Sequence, residues 1–164
     1  MPRPPREHVK NGVYHVTQRA TDDELFFVAP FDYFSFCQLL GLAIKRAEWR
    51  LHGFCLMTNH VHMLIQTPKP TLARGMQFLL ATYVEEFNAR YGRRGALVQG
   101  RYKSKLVETE AHYLECLRYF ALNPVGAGLC ERPEDWPWSS YAGDGTIAPR
   151  VDELLRGEFD IDLR

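Results

Sequence analysis

Arg50-Leu51-His52-Gly53-Phe54-Cys55-Leu56-Met57-Thr58-Asn59-His60-Val61-His62-Met63-Leu64-Ile65-Gln66 is the stretch on which the fold turns. Arg50 to Met57 and His60 to Gln66 are short, largely apolar runs, and Thr58-Asn59 supplies a turn between them, so the segment predicts a β-hairpin. In a strand, side chains at i and i+2 leave the same face, which sends His60 and His62 one way and Val61 the other. Two imidazoles on one face, close to a turn, make a two-armed clamp for a metal ion. The same triplet also fits two half-buried imidazoles bonded to backbone groups. Two histidines leave a metal short of ligands, so a third group is needed, and Asn123 and Asn59 are the oxygen donors near the right places. Imidazole and oxygen ligands with open positions suit Mg²⁺ or Mn²⁺ beside a phosphate better than a closed zinc site.

Upstream of the hairpin, Val13-Tyr14-His15-Val16-Thr17 alternates like a half-buried strand. Between Phe34 and Ala47, apolar residues at Phe36, Leu39, Leu40, Ala43, Ile44 and Ala47 follow the spacing of an amphipathic helix. Downstream, Thr71 is placed to cap a helix whose apolar side runs Leu72, Met76, Leu79, Leu80, Tyr83 and Phe87 and which ends before Tyr91-Gly92. Tyr102 to Glu108 reads as a further strand. Thr109 caps a third helix that is expected to stop near Asn123, because Pro124 disfavours helical geometry in the residue before it. The order β-α-β-β-α-β-α predicts an α+β fold, a ferredoxin-like split β-α-β sandwich with an antiparallel sheet and an additional C-terminal helix.

On that third helix, about 100° per residue puts Leu114, Leu117 and Ala121 on one side and His112, Glu115, Tyr119 and Asn123 on the other. The leucine seam does not account for Tyr119. Its phenol and the Asn123 amide are i, i+4 neighbours, so one helix can bring a nucleophile and a polar ligand to the same point. A surface tyrosine stacked on the sheet fits the spacing equally well. His8, His15 and His52 read as arm, core or edge residues, and His112 as a supporting residue beside Tyr119.

With 164 residues, 46% of them hydrophobic, the chain suits one domain with its own core. We assign residues 1–145 to that domain, with a basic N-terminal arm, and residues 146–164 to an acidic, loosely attached tail. No stretch approaches the roughly 20 apolar residues of a membrane span, and the start of the chain lacks a secretory apolar region, which predicts a cytoplasmic protein with no membrane partner. Cys37, Cys55, Cys116 and Cys130 form no C-x-x-C pair and read as buried thiols. The net charge is zero, but residues 1–130 carry 16 basic against 11 acidic residues and residues 131–164 carry 4 against 9. A neutral total therefore does not exclude nucleic acid, because binding follows the local patch. Six basic residues and no acid lie between Arg90 and Lys105, interleaved with Tyr91 and Tyr102. Single strands are held this way, cations following phosphates and rings stacking on bases. A solvated strand edge has the same composition.

Met57-Thr58-Asn59-His60-Val61-His62, Gln99-Gly100-Arg101-Tyr102-Lys103-Ser104, and Arg118-Tyr119 through Leu122-Asn123-Pro124-Val125 with Gly128-Leu129 occur in an order that resembles the REP-associated tyrosine transposases. These belong to the single-tyrosine branch of the HUH nucleases, together with the small insertion-sequence transposases. Departures stand at Thr58, where many relatives have proline, and at Val98, where an aromatic is frequent. The resemblance implies that His60, His62 and Asn123 are metal ligands and Tyr119 the catalytic nucleophile. It implies a Mg²⁺- or Mn²⁺-dependent transposase that cleaves and rejoins single-stranded hairpin DNA through a 5′-phosphotyrosine. Arg3, Arg6 and Lys10 are then candidates for reading the hairpin foot, and Arg93, Arg94, Arg101, Tyr102, Lys103 and Lys105 for holding the strand. The alternatives are a domesticated hairpin-binding protein that no longer cuts and a metal hydrolase that activates water. Whether one chain builds the site or a homodimer shares it stays open at this level.

Overall fold

The computed structural model describes residues 2, 6–22 and 24–141. Its elements follow the expected order: β1 (Gly12–Arg19), α1 (Pro30–Ala47), β2 (Arg50–Leu56), β3 (His60–Thr67), α2 (Leu72–Tyr91), β4 (Lys103–Val107) and α3 (Glu110–Gly126), then a short 3₁₀ turn at Pro133–Asp135. The four strands pair antiparallel in the order β2-β3-β1-β4. The fold is thus the α+β split β-α-β sandwich, with α3 as the extra helix. The acidic tail assigned to residues 146–164 lies outside the described residues.

Strand alternation divides the core in two. Val16, Phe54, Leu56, Val61, Met63 and Ile65 face α1 and α2, where Phe26, Phe36, Leu40, Leu79 and Tyr83 complete the larger cluster. The other face carries Cys55, Met57 and Leu64 against Cys116 and Phe120 of α3. Gly53 lets α3 approach, since a Cβ there would meet the Leu117 Cδ2 at 2.9 Å. His52, at a register shift in β2, bonds the Tyr113 hydroxyl at 2.9 Å and Gln66 Oε1 at 2.9 Å, tying α3 to the sheet. Beyond β2, Leu56 N–H donates to Trp138 C=O and Ser140 N–H to Phe54 C=O, so the 138–140 segment covers that sheet edge.

Three local expectations are corrected. Asn123 does not end the third helix; α3 continues to Gly126 with Pro124 inside it. Proline removes a single donor, and Ala127 N–H still reaches Asn123 C=O at 3.0 Å, so the last turn stays closed. Leu114 is not on the buried side: it is exposed, and the buried positions are Cys116, Phe120, Ala121 and Pro124. Thr71 does precede α2, but its hydroxyl donates to Ala47 C=O at 2.6 Å rather than capping α2. Thr109 caps α3 as expected, accepting from His112 N–H at 3.0 Å.

Candidate active site

The register of the sheet decides what surrounds the two histidines. Across from His60 stands Arg19, and across from His62 stands Thr17; one strand further, Thr17 opposes Lys103 and His15 opposes Lys105. Directly opposed residues share a face. The face under α3 therefore carries His60 and His62 on β3, Arg19 and His15 on β1, and Lys103 and Lys105 on β4. This face is basic, with imidazoles at its centre.

Both imidazoles are oriented through Nδ1. His60 Nδ1 bonds Asn59 Oδ1 at 2.6 Å, and His62 Nδ1 bonds His15 Nε2 at 3.0 Å. Asn59 is thereby an orienting partner rather than a free ligand. With Nδ1 carrying the proton in each ring, the Nε2 lone pairs are left over, which is the arrangement metal-binding histidines use. The His62 Nε2 is buried and has no partner among the described residues. Burial first, and the neighbouring imidazoles and Arg19 after it, push the His62 pKa down to about 3; burial, then Arg19, lowers His60 to about 4. Both rings are neutral at pH 7, as ligands must be.

Tyr119 reaches this point within one chain. Its ring meets that of His62 edge-on, with centroids 5.2 Å apart and planes at 89°, while its other side is solvent-exposed. The next residue, Phe120, is 1% exposed and packs against both His15 and His62. The helix thus seats Phe120 in the core and sets Tyr119 on the flank toward the histidines, instead of opposite a leucine seam. Asn123, one turn on, has a buried amide nitrogen with no partner among the described residues. Rotating that amide puts Oδ1 in the same place. Among the described residues no group of three or more His, Cys, Asp or Glu side chains could hold a metal. An ion here would draw two imidazoles and, beyond them, an amide, water or substrate oxygen, which fits a hard cation working on a phosphate.

Comparisons with known proteins place the chain in a family. Residues 8–120 match the family described as IS200-like transposases. This chain belongs to that family. Within it, the transposase is 23% identical over 151 residues, 85% of each chain, to a Haemophilus influenzae protein assigned as a REP-associated tyrosine transposase. Its fold superposes with a TM-score of 0.73 and 16% identity on a solved REP-associated tyrosine transposase bound to a REP hairpin, covering 100% of this chain and 94% of the other.

The expected DNA contacts divide. Arg101, Lys103 and Lys105 are exposed beside the histidine face, and Arg94 and Lys10 are exposed elsewhere. Arg3 lies outside the described residues. Arg93 is already engaged, with Glu24 at 2.9 Å and Asn88 at 2.7 Å, and so braces the loop after α2. Tyr102 is only 8% exposed, and the Arg6 guanidinium covers its ring at 3.6 Å, so that ring is a core element and not a stacking platform. Arg6 also bonds Ser104 Oγ at 3.2 Å and Tyr102 C=O. The sequence reads His15 as a core or edge residue and does not single out Arg19, whereas the structure sets both beside the two histidines. The alternation of β1 puts both on one face, but only strand pairing reveals which face.

Among the described residues, no helix is long and apolar enough to cross a membrane.

Proposed function

We propose that this transposase cuts and rejoins single-stranded DNA beside a hairpin, with Tyr119 as nucleophile and His60, His62 and Asn123 as ligands of Mg²⁺ or Mn²⁺. The observation that carries the reading is the edge-on contact of Tyr119 with His62, whose Nε2 is buried and unpartnered. A hairpin substrate is supported by the REP hairpin held by the solved relative.

When bound, the divalent ion supplies Lewis acidity at the scissile phosphate. The residues of the chain do the rest. His15 and Asn59 hold the two imidazoles, and Arg19, Lys103 and Lys105 favour a polyanion on the same face. Tyr119 Oη attacks phosphorus as its proton passes to water. The Oη–P bond forms, the P–O3′ bond breaks, and the departing oxygen takes up a proton to become a 3′-hydroxyl. The 5′-phosphotyrosine keeps the energy of the phosphodiester, so a 3′-hydroxyl can reverse the step and join strands without ATP. Direct hydrolysis by water would forfeit that.

The test is incubation with 3′-end-labelled hairpin oligonucleotides and Mn²⁺, followed by denaturing electrophoresis. Label should migrate with the protein, and Tyr119→Phe should abolish the adduct while retaining DNA binding. Cleavage without an adduct would point to a water-activating hydrolase. Binding without cleavage would point to a hairpin-binding protein.

A further inference from the structure

Arg19 is a cation with no partner inside the fold. Arg6 lies over Tyr102, Arg90 is tied to Asp32 and Arg93 to Glu24, but the Arg19 side chain is exposed and makes no hydrogen bond or ion pair among the described residues. Its backbone, by contrast, is pinned. The Arg19 carbonyl accepts from Gln99 N–H at 2.8 Å and from Gln18 Nε2 at 3.1 Å, and the next N–H, that of Ala20, donates to Asn59 C=O at 2.9 Å. Asn59 also orients His60, so one turn fixes both the cation and the imidazole. Behind burial, the Arg19 charge contributes to the lowered pKa of His60 and His62, which sets the guanidinium near both rings.

The sheet order puts Arg19 and Tyr119 on opposite flanks of the histidines. α3 lies over the β2 side, with Leu117 close to Gly53 and the Tyr113 hydroxyl on His52, and brings Tyr119 to His62 from there. β3 carries the histidines in the middle, and β1 carries Arg19 on the far side, directly across from His60. Beyond Arg19 the sheet opens. The β1–β4 ladder ends at Thr17 with Lys103 and resumes as a single bridge at Ala20 with Val98, and the chain between bows outward at Gly100, whose φ of +65° suits glycine. The result is a notch of about 560 Å³ at the sheet edge, lined by Arg19, Arg101 and Lys103 among others and by no acidic side chain.

In a displacement at phosphorus the attacking and leaving oxygens stand in line, on opposite sides of the phosphorus atom. We propose that Arg19 is a further catalytic residue, whose guanidinium donates a hydrogen bond to the leaving O3′ while the strand bearing that oxygen lies in the sheet-edge notch. With Tyr119 entering from the α3 side and the phosphate over the histidines, the departing oxygen faces β1, where Arg19 is the cation of the adjoining strand. As the Oη–P bond forms and the P–O3′ bond breaks, the electron pair of the broken bond goes to O3′, and the fixed positive charge offsets it. The guanidinium keeps its own protons, and water supplies the one that completes the 3′-hydroxyl. In rejoining, the same N–H groups hold that hydroxyl in line for attack on the phosphotyrosine. This role rests on the proposed tyrosyl transfer and names the group that serves its leaving atom.

The test gives the full chain, with Mn²⁺, saturating amounts of either of two hairpin oligonucleotides, one with an ordinary scissile linkage and one with sulfur in place of O3′ at that linkage. A thiol is far more acidic than an alcohol, so a departing thiolate gains little from the hydrogen bond. Arg19→Gln should slow adduct formation from the oxygen substrate about 100-fold, the cost of one transition-state donor, and change the sulfur substrate little. Arg19→Lys, which keeps a charge and a donor, should fall between, and carries the comparison should Arg19→Gln not fold. Lys103→Gln should weaken the binding of both substrates and leave the ratio of their rates unchanged. Equal loss on both substrates in Arg19→Gln assigns Arg19 to holding the strand and overturns the leaving-group role, as does no loss on either. In both cases an adduct formed by wild type leaves the tyrosyl-transfer reading standing, whereas wild type that forms an adduct with neither substrate overturns both.

Discussion

Replacing His15 with leucine isolates the strand-to-strand contact on which the candidate metal site depends. His15 Nε2 is 3.0 Å from His62 Nδ1, and Phe120 packs on both rings. Leucine keeps an apolar side chain under Phe120 but removes the acceptor that holds the proton on His62 Nδ1. Loss of such an orienting partner lowers metal affinity about 10–100-fold. The stranded Nδ1 also costs stability, about 1–3 kcal/mol for a buried unpaired group. At about 2–4 °C per kcal/mol for a chain of this size, Tm should fall by about 2–12 °C. Isothermal titration of Mn²⁺ into wild type and His15→Leu, with calorimetric melting of each in the absence of metal, gives both numbers. A folded His15→Leu protein that binds Mn²⁺ as wild type does would show that His15 does not orient His62, and the reasoning from second partners would fail.

Three further outcomes are expected. Gly75→Ala usually strengthens a helix by about 1 kcal/mol, but here the new Cβ would lie 2.1 Å from Trp49 Cζ2, so we expect net destabilisation of about 1–3 kcal/mol in urea unfolding. An unchanged or raised midpoint would refute the close packing of α2 on Trp49. Thr109→Ala removes the cap bond to His112 N–H and should cost about 1 kcal/mol, read as a Tm lower by a few degrees. For pH, His60 and His62 are held neutral down to about 4 and 3, whereas in the unfolded chain each takes up a proton near 6.5. The unfolded state therefore binds more protons below 6.5, and the stability of the metal-free protein, complete above that value, should decline as pH falls toward 4. A Tm that stays flat between pH 7 and pH 5 in chelator-treated protein would contradict the burial of these rings.

The candidate site residues were legible in the sequence because their spacing depends on local periods. The two-residue repeat of a strand places His60 with His62, and the helical repeat places Asn123 one turn beyond Tyr119. The seven-element order was legible for the same reason, since apolar period and turn residues are local properties. Tertiary structure alone decided what each of these faces meets. Which side of α3 is buried depends on how the helix lies over Gly53, so Leu114 ended exposed and Phe120 inside. Whether an aromatic among cations stacks on a base or fills the core depends on which side of β4 it leaves; Tyr102 went inward and Arg6 closed over it. His15 is 47 residues from His62 and becomes its partner only through the β1–β3 register. Pairing between distant strands is set by the summed burial of two cores, a quantity that no window of sequence contains.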